Sequence, residues 1–167
     1  EFREPAGAAV KICVFGAGYV GLVTTACLAD MGNRLICVDI DTERIKSLRS
    51  AGIPIHEPGL EEMVARNVAA GRIEFTTDAE LAVSHGTVIF IAVGTPSAED
   101  GSAMLGHVLA AASTIGRYMR DHKVIVNKST VPVGTTDRVR ESVATELHRR
   151  SANVPFAVVS NPEFLRE

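Results

Sequence analysis

Short apolar runs alternate with stretches of helical period along the chain. The runs are Val10 to Phe15, Arg34 to Val38, Ile73 to Thr76, Val88 to Val93, Lys123 to Asn127 and Phe156 to Ser160. They are apolar at consecutive rather than alternate positions, which predicts strands covered on both faces. Between them, Leu105, Val108, Leu109, Ala112, Ile115 and Met119 recur at steps of three and four, and Val139, Val143 and Leu147 repeat at steps of four. Each set marks an amphipathic helix. Leu60, Met63, Val64 and Val68 share one face of a further helix from Gly59 to Ala70, with Pro58 at its start. No internal repeat, low-complexity stretch or linker interrupts the alternation. Strands joined by helical crossovers predict an α/β fold: a doubly wound, parallel, six-stranded sheet in the order 3-2-1-4-5-6, with helices on both faces. Ligands are expected outside the carboxyl ends of its strands.

Residues 1–9 show no periodicity and read as a disordered tail or a remnant, leaving residues 10–167 as one domain. At 167 residues, 46% hydrophobic and 22% charged, the chain is long enough for one well-buried core and resembles an ordinary globular protein. The net charge of -3 supplies no general attraction for nucleic acid or an acidic membrane surface. No apolar run approaches the length of a membrane span. Cys13, Cys27 and Cys37 follow no metal or redox spacing, so reduced thiols in the cytoplasm are expected. All three stand in apolar sequence and are read as core residues.

Gly16-Ala17-Gly18-Tyr19-Val20-Gly21 is a G-x-G-x-x-G motif between the first strand and a helix. The first glycine permits a tight turn, the second lets a pyrophosphate approach the backbone, and the third lets helix and strand pack closely. Unpaired NH groups at the start of the helix favour the phosphates. Asp39 follows the second strand, roughly 20 residues on, where a carboxylate accepts hydrogen bonds from the ribose hydroxyls of NAD. Together these features predict a Rossmann-type dinucleotide site. A 2′-phosphate, as in NADP, would meet Asp39; like charges about 4 Å apart near a protein surface cost on the order of 4 kcal/mol. Arg44 offsets part of that, so NAD is favoured while NADP stays open. Asp39 and Asp41 can at the same time cap the helix that begins near Thr42.

Three further segments follow strands four, five and six: Gly94-Thr95-Pro96, Ser129-Thr130-Val131-Pro132-Val133-Gly134 and Asn161-Pro162-Glu163-Phe164-Leu165-Arg166-Glu167. Each alone suits simple turn chemistry. Together they converge on one edge of the sheet, where the hydroxyls of Thr95, Ser129 and Thr130 and the carboxylates of Glu163 and Glu167 are expected to face one crevice.

With these segments in place, the sequence resembles the UDP-glucose/GDP-mannose dehydrogenase family from about Val10 to the last residue. The likeness rests on Gly16 to Gly21, His56-Glu57-Pro58-Gly59-Leu60, Val93-Gly94-Thr95-Pro96, Lys128-Ser129-Thr130-Val131-Pro132 and Asn161-Pro162-Glu163-Phe164-Leu165. Within the family, Glu99-Asp100-Gly101-Ser102 and Lys128 to Gly134 are most similar to the bacterial members that act on UDP-glucose. The resemblance implies oxidation of the sugar C6 alcohol to a carboxylate in two NAD-dependent hydride transfers, giving UDP-glucuronate for polysaccharide synthesis. It implies an NAD site lined by Gly16, Gly18, Tyr19, Val20, Gly21, Asp39, Arg44, the loop Gly94, Thr95 and Pro96, Ser129, Thr130 and Glu167. It also implies sugar contacts from Glu163, Phe164, Leu165, Arg166 and Glu167. Glu163 would stand near the water that hydrolyses a final thioester, with Thr130 helping to place that water.

Two departures qualify the match. Met104 stands where bacterial relatives commonly carry a second Asp in the loop after strand four. The family also continues through a central helix, which builds homo-oligomers, into a second domain holding the nucleophilic cysteine and its Lys and Asn partners. None of Cys13, Cys27 and Cys37 matches that nucleophile. GDP-mannose or a UDP-N-acetylhexosamine is the alternative substrate. A non-catalytic NAD-binding module is the alternative of another class, but it offers no reason for two carboxylates and a proline at the nicotinamide end.

Overall fold

The computed structural model describes residues 8–50, 52–53, 57–97 and 103–163. Six strands, β1 (Lys11–Phe15), β2 (Arg34–Val38), β3 (Ile73–Thr76), β4 (Val88–Ile91), β5 (Lys123–Asn127) and β6 (Phe156–Ser160), form one sheet in the order β3-β2-β1-β4-β5-β6. Every pairing is parallel, with Ile12 opposite both Leu35 and Val88, and Val124 opposite Ala157. This is the expected doubly wound sheet.

Six helices cross over it: α1 (Tyr19–Asp30), α2 (Thr42–Arg49), α3 (Leu60–Ala69), α4 (Ala79–His85), α5 (Gly106–Tyr118) and α6 (Thr135–Arg149). Leu22 and Ala26 of α1, Ile45 and Leu48 of α2, and Leu60 and Val64 of α3 pack on one face against Ile12, Val14, Leu35 and Cys37. On the other face Ala82 and Val83 of α4, Val108 and Ile115 of α5 and Val139 and Val143 of α6 cover Cys13, Ile36, Ile89 and Ile125. The chain changes face between β3 and β4. The loops after β1 and β4 therefore diverge to opposite sides and leave a crevice between them.

The helix α4 has no counterpart in the sequence reading. Its seven residues bury only Ala82 and Val83, too few to write a periodic stripe, although Asp78 caps it by accepting the Leu81 amide hydrogen. The reading of β6 as covered on both faces is also corrected. It is an edge strand on which only Val158 is buried, and Val159 is 44% exposed. Cys27 corrects a third expectation, because it lies exposed on α1 while Cys13 and Cys37 are buried. In α1 the core-facing side is taken by Leu22, Ala26 and Ala29, which turns position 27 outward.

Opposite the crevice-forming loops, Arg66 of α3 grips Asp30 at the end of α1 through two hydrogen bonds, at 2.9 and 2.8 Å. Hydrogen bonds from Arg66 and Asn67 hold the Asp30 carboxyl down at about 2. This clamp sets α3 beside the helix that follows the glycine turn.

Candidate functional site

All six strands point the same way, so the segments after β1, β2, β4, β5 and β6 gather at one edge of the sheet. The glycine turn is fixed from β2. The Gly16 amide donates to the Val38 carbonyl at 2.8 Å, the Cys37 thiol donates to the Gly16 carbonyl at 3.7 Å, and the Ala17 amide donates to an Asp39 carboxylate oxygen at 2.7 Å. Burial pushes the Cys37 thiol up to about 12, and burial also raises that of Cys13 well above its ordinary value. Both are uncharged packing groups.

The three glycines have separate duties. Gly16 has φ +101°, and a methyl group there would come within 2.6 Å of the Ala92 carbonyl oxygen. At Gly21 a methyl group would lie 1.8 Å from the Gly16 carbonyl oxygen, so helix and turn pack with no room for a side chain. At Gly18 a methyl group would meet no atom within 4 Å. Gly18 is the one whose missing side chain leaves space for something outside the protein. It is also the N-cap of α1 and brings no side-chain cap. The first-turn NH groups of α1, on Tyr19, Val20 and Gly21, therefore lack intrahelical partners and point out of the helix.

Asp39 stands next to this space, its side chain 9% exposed. Besides the Ala17 amide it accepts from the Asp41 amide at 3.0 Å and from the Arg44 guanidinium at 3.3 Å. The cap of α2 is Asp41 alone, which accepts the Arg44 amide hydrogen at 3.0 Å. Arg44 also pairs with the Asp41 carboxylate at 3.7 Å. Its single positive charge is thus shared by two carboxylates, and the group as a whole keeps a negative charge. This predicts at least about tenfold tighter binding of NAD than of NADP, roughly 1.4 kcal/mol. Titration calorimetry with both cofactors measures the gap, and Asp39→Ala should narrow it. Equal or tighter NADP binding would remove Asp39 from its assigned role.

The loops after β4, β5 and β6 meet as expected, but their hydroxyl hydrogens tie the loops to one another. Thr95 donates to the Thr130 carbonyl at 3.0 Å, Thr130 to the Glu163 carbonyl at 2.7 Å, and Ser129 to the Val93 carbonyl at 2.7 Å. Only the oxygen lone pairs of these side chains remain to receive a ligand. His107 at the start of α5 bonds the Gly94 carbonyl at 3.1 Å and steadies the Gly94 to Pro96 loop. Met104, 53% exposed, donates its amide hydrogen to the Pro96 carbonyl at 2.9 Å, so the chain bends back there through backbone bonding. Residues 98–102 lie outside the described residues, as do His56 and Phe164, Leu165, Arg166 and Glu167.

Sequence reading missed two residues at this edge. Lys128, 17% exposed, forms an ion pair with Glu163 and donates to the Asn161 side chain at 3.4 Å. A lysine beside a turn reads as a surface residue, and only its motif hinted otherwise. Asn127 closes β5 fully buried, with its side-chain oxygen unpartnered among the described residues. On the side of the glycine turn, the Tyr19 hydroxyl donates to Glu57 at 3.1 Å. That hydrogen bond, then the nearby charges of Glu57 and Glu163, raise the Tyr19 phenol above its ordinary value.

A parallel sheet with a switch point, an open glycine at a helix N-terminus and a carboxylate beside it define a dinucleotide-binding Rossmann domain. The family's sequence profile, described as the NAD binding domain of the UDP-glucose/GDP-mannose dehydrogenase family, matches residues 10–167, and the chain belongs to that family. A UDP-glucose 6-dehydrogenase of Pseudomonas aeruginosa is 51% identical over 95% of this chain and 35% of its own length. A GDP-mannose 6-dehydrogenase of the same organism is 39% identical over 95% of this chain and 37% of its own length. The solved UDP-glucose dehydrogenase of Pyrobaculum islandicum superposes with a TM-score of 0.89 at 44% identity, over 98% of this chain and 38% of that one. The chain thus spans about a third of the length of the curated relatives it matches.

Proposed function

We propose that residues 10–167 form one domain of a UDP-glucose 6-dehydrogenase, the domain that holds NAD while the sugar C6 alcohol is oxidised to a carboxylate. The observation that carries this reading is the meeting of the Gly18 space, Asp39 and the Thr130–Glu163 cluster along one edge of the sheet. The higher identity to the UDP-glucose enzyme than to the GDP-mannose enzyme supports the choice of sugar nucleotide.

The residues present fit the cofactor. The opening at Gly18 and the NH groups of Tyr19, Val20 and Gly21 suit the pyrophosphate, and Asp39 suits the adenosine ribose. Arg44 stays paired to Asp39 beside it. Thr95 and Ser129 hold the loops that would flank the nicotinamide. NAD, when bound, supplies the hydride acceptor. Glu163, a carboxylate 33% exposed and anchored at its backbone by Thr130, is suited to take a proton from a water in the hydrolytic step. By the family resemblance, Phe164, Leu165, Arg166 and Glu167, which lie outside the described residues, are proposed as sugar contacts, with Glu167 also proposed for NAD. The reading carries a cytoplasmic location with it, supported by the free state of all three cysteines. Among the described residues no helix is long and apolar enough to cross a membrane.

The test is NADH formation by the full-length protein with UDP-glucose, GDP-mannose and UDP-N-acetylhexosamines in turn. The expected result is turnover with UDP-glucose at a kcat/KM at least tenfold above the others. A preference for GDP-mannose or an N-acetylhexosamine would overturn the assignment of the sugar. No oxidation of any of them would support a binding module instead.

A further inference from the structure

Lys128 has no role in the site assignments above, yet it is among the most constrained side chains at the crevice edge. A lysine that is only 17% exposed must be compensated, because an ammonium group withdrawn from water without partners is costly. Its compensation comes from one short segment. The Glu163 carboxylate pairs with it, and the Asn161 side-chain oxygen accepts from it at 3.4 Å. The main chain repeats the connection. The Asn161 amide donates to the Asn127 carbonyl at 2.9 Å and the Glu163 amide to the Lys128 carbonyl at 3.4 Å, while the Lys128 amide itself is tied to the Ile91 carbonyl of β4 at 2.8 Å. Thr130 adds its bond to the Glu163 carbonyl from the other side.

The backbone of Glu163 is therefore held at two points, and what remains free is the torsion of its side chain. A glutamate loses little by rotating in water, so a carboxylate that has to meet a reacting group in one orientation needs a side-chain anchor. We propose that Lys128 is the positioning residue for Glu163: its ammonium grips one carboxylate oxygen and thereby fixes the direction in which the other is offered to substrate or water. Lys128 touches neither substrate nor cofactor in this arrangement and acts through Glu163. Among the described residues, the other ionisable groups on that side are Tyr19, whose phenol feels the Glu163 charge, and Glu57, which is bonded to Tyr19. Both are acids, so among these groups Lys128 is the cation available for the grip.

The inference rests on the assignment of Glu163 to hydrolysis, and a double-mutant cycle in the full-length enzyme separates the two. Lys128→Met is expected to lower kcat about 100-fold, the scale of a misplaced reacting group, with KM for UDP-glucose within about twofold. A covalent enzyme adduct should build up in intact mass spectra, as in Glu163→Gln. Lys128→Arg, which keeps the charge but not the reach, should recover part of the rate and also serves if Lys128→Met fails to fold. Lys128→Met/Glu163→Gln should be no slower than Glu163→Gln alone. If the two effects instead multiply, Lys128 does not act through Glu163 and the proposal fails while the role of Glu163 stands. If Lys128→Met weakens NAD binding to residues 1–167 more than about tenfold, the lysine is a cofactor contact and the proposal fails. If Glu163→Gln neither slows turnover nor traps an adduct, the assignment of Glu163 itself falls, and this inference with it.

Discussion

Gly18→Val is expected to abolish NAD binding while leaving the helical circular dichroism and the melting temperature close to those of the unchanged chain. The expectation comes from the division of labour in the glycine turn. A Cβ at Gly18 would meet no atom of the protein within 4 Å, so the turn has room for a side chain to start there without a clash. The backbone conformation there, φ -74° and ψ -171°, is one that valine adopts readily. The isopropyl group would instead occupy the space in front of the first-turn NH groups of α1, where the pyrophosphate must come to bond them. Losing that approach should weaken binding by at least about 100-fold, roughly 2.8 kcal/mol. Gly21→Val gives the contrast. There a side chain would overlap the Gly16 carbonyl, and the variant should lose the fold together with the ligand. Calorimetry and thermal melts on both variants distinguish the two cases. If Gly18→Val kept its NAD affinity, the turn would be purely structural.

The other large effect is expected in residues 1–167 taken alone: they should bind NAD yet give no NADH above background with UDP-glucose. Positioning a substrate against the nicotinamide supplies roughly 7 to 11 kcal/mol of a barrier, and it requires walls on both sides of the crevice. The described residues build the wall that holds the cofactor. The second oxidation, in the proposed chemistry, also requires a thiolate. Cys13 and Cys37 are buried thiols whose protons burial retains, and Cys27 lies on α1 near its carboxyl end, away from the loops after β4, β5 and β6. None of the three can serve. Among the described residues the hydroxyl hydrogens of Thr95, Ser129 and Thr130 are taken by carbonyls, so these three side chains do not serve as oxyanion donors, one of which is typically worth about 3 kcal/mol. A 340 nm absorbance assay with NAD and UDP-glucose checks this. Sustained turnover by residues 1–167 would overturn the division of chemistry between this domain and the rest of the enzyme.

The sheet was legible because its strands are continuous apolar runs and its central strands are in fact covered on both faces. That signal does not report where a strand sits, so β6, open on one side, read like the buried β5. The longer helices were legible from their periodic stripes, whereas α4 is too short to carry one. Position 27 was misjudged because α1 is apolar nearly all round, and its sequence does not say which side meets the sheet. The glycine motif and Asp39 could be placed from sequence since their spacing encodes a local geometry. The Lys128 to Glu163 contact could not, because it joins ends of neighbouring strands far apart along the chain. The commitment of the Thr95, Ser129 and Thr130 hydroxyls to carbonyls was hidden for the same reason. Sequence brought those residues to one edge but not the direction of their hydrogen bonds.

The central claim is that NAD lies across the carboxyl edge of this sheet, from Asp39 to the loops after β4 and β5. Amide chemical-shift mapping of the isotopically labelled chain during an NAD titration tests it most directly. The expected result is a contiguous set of perturbed amides at Gly16 to Gly21, Asp39 to Arg44, Gly94 to Thr95 and Ser129 to Thr130, with Lys123 and the amino ends of the other strands unmoved. Saturable shifts confined to another surface, or none at millimolar NAD, would contradict it.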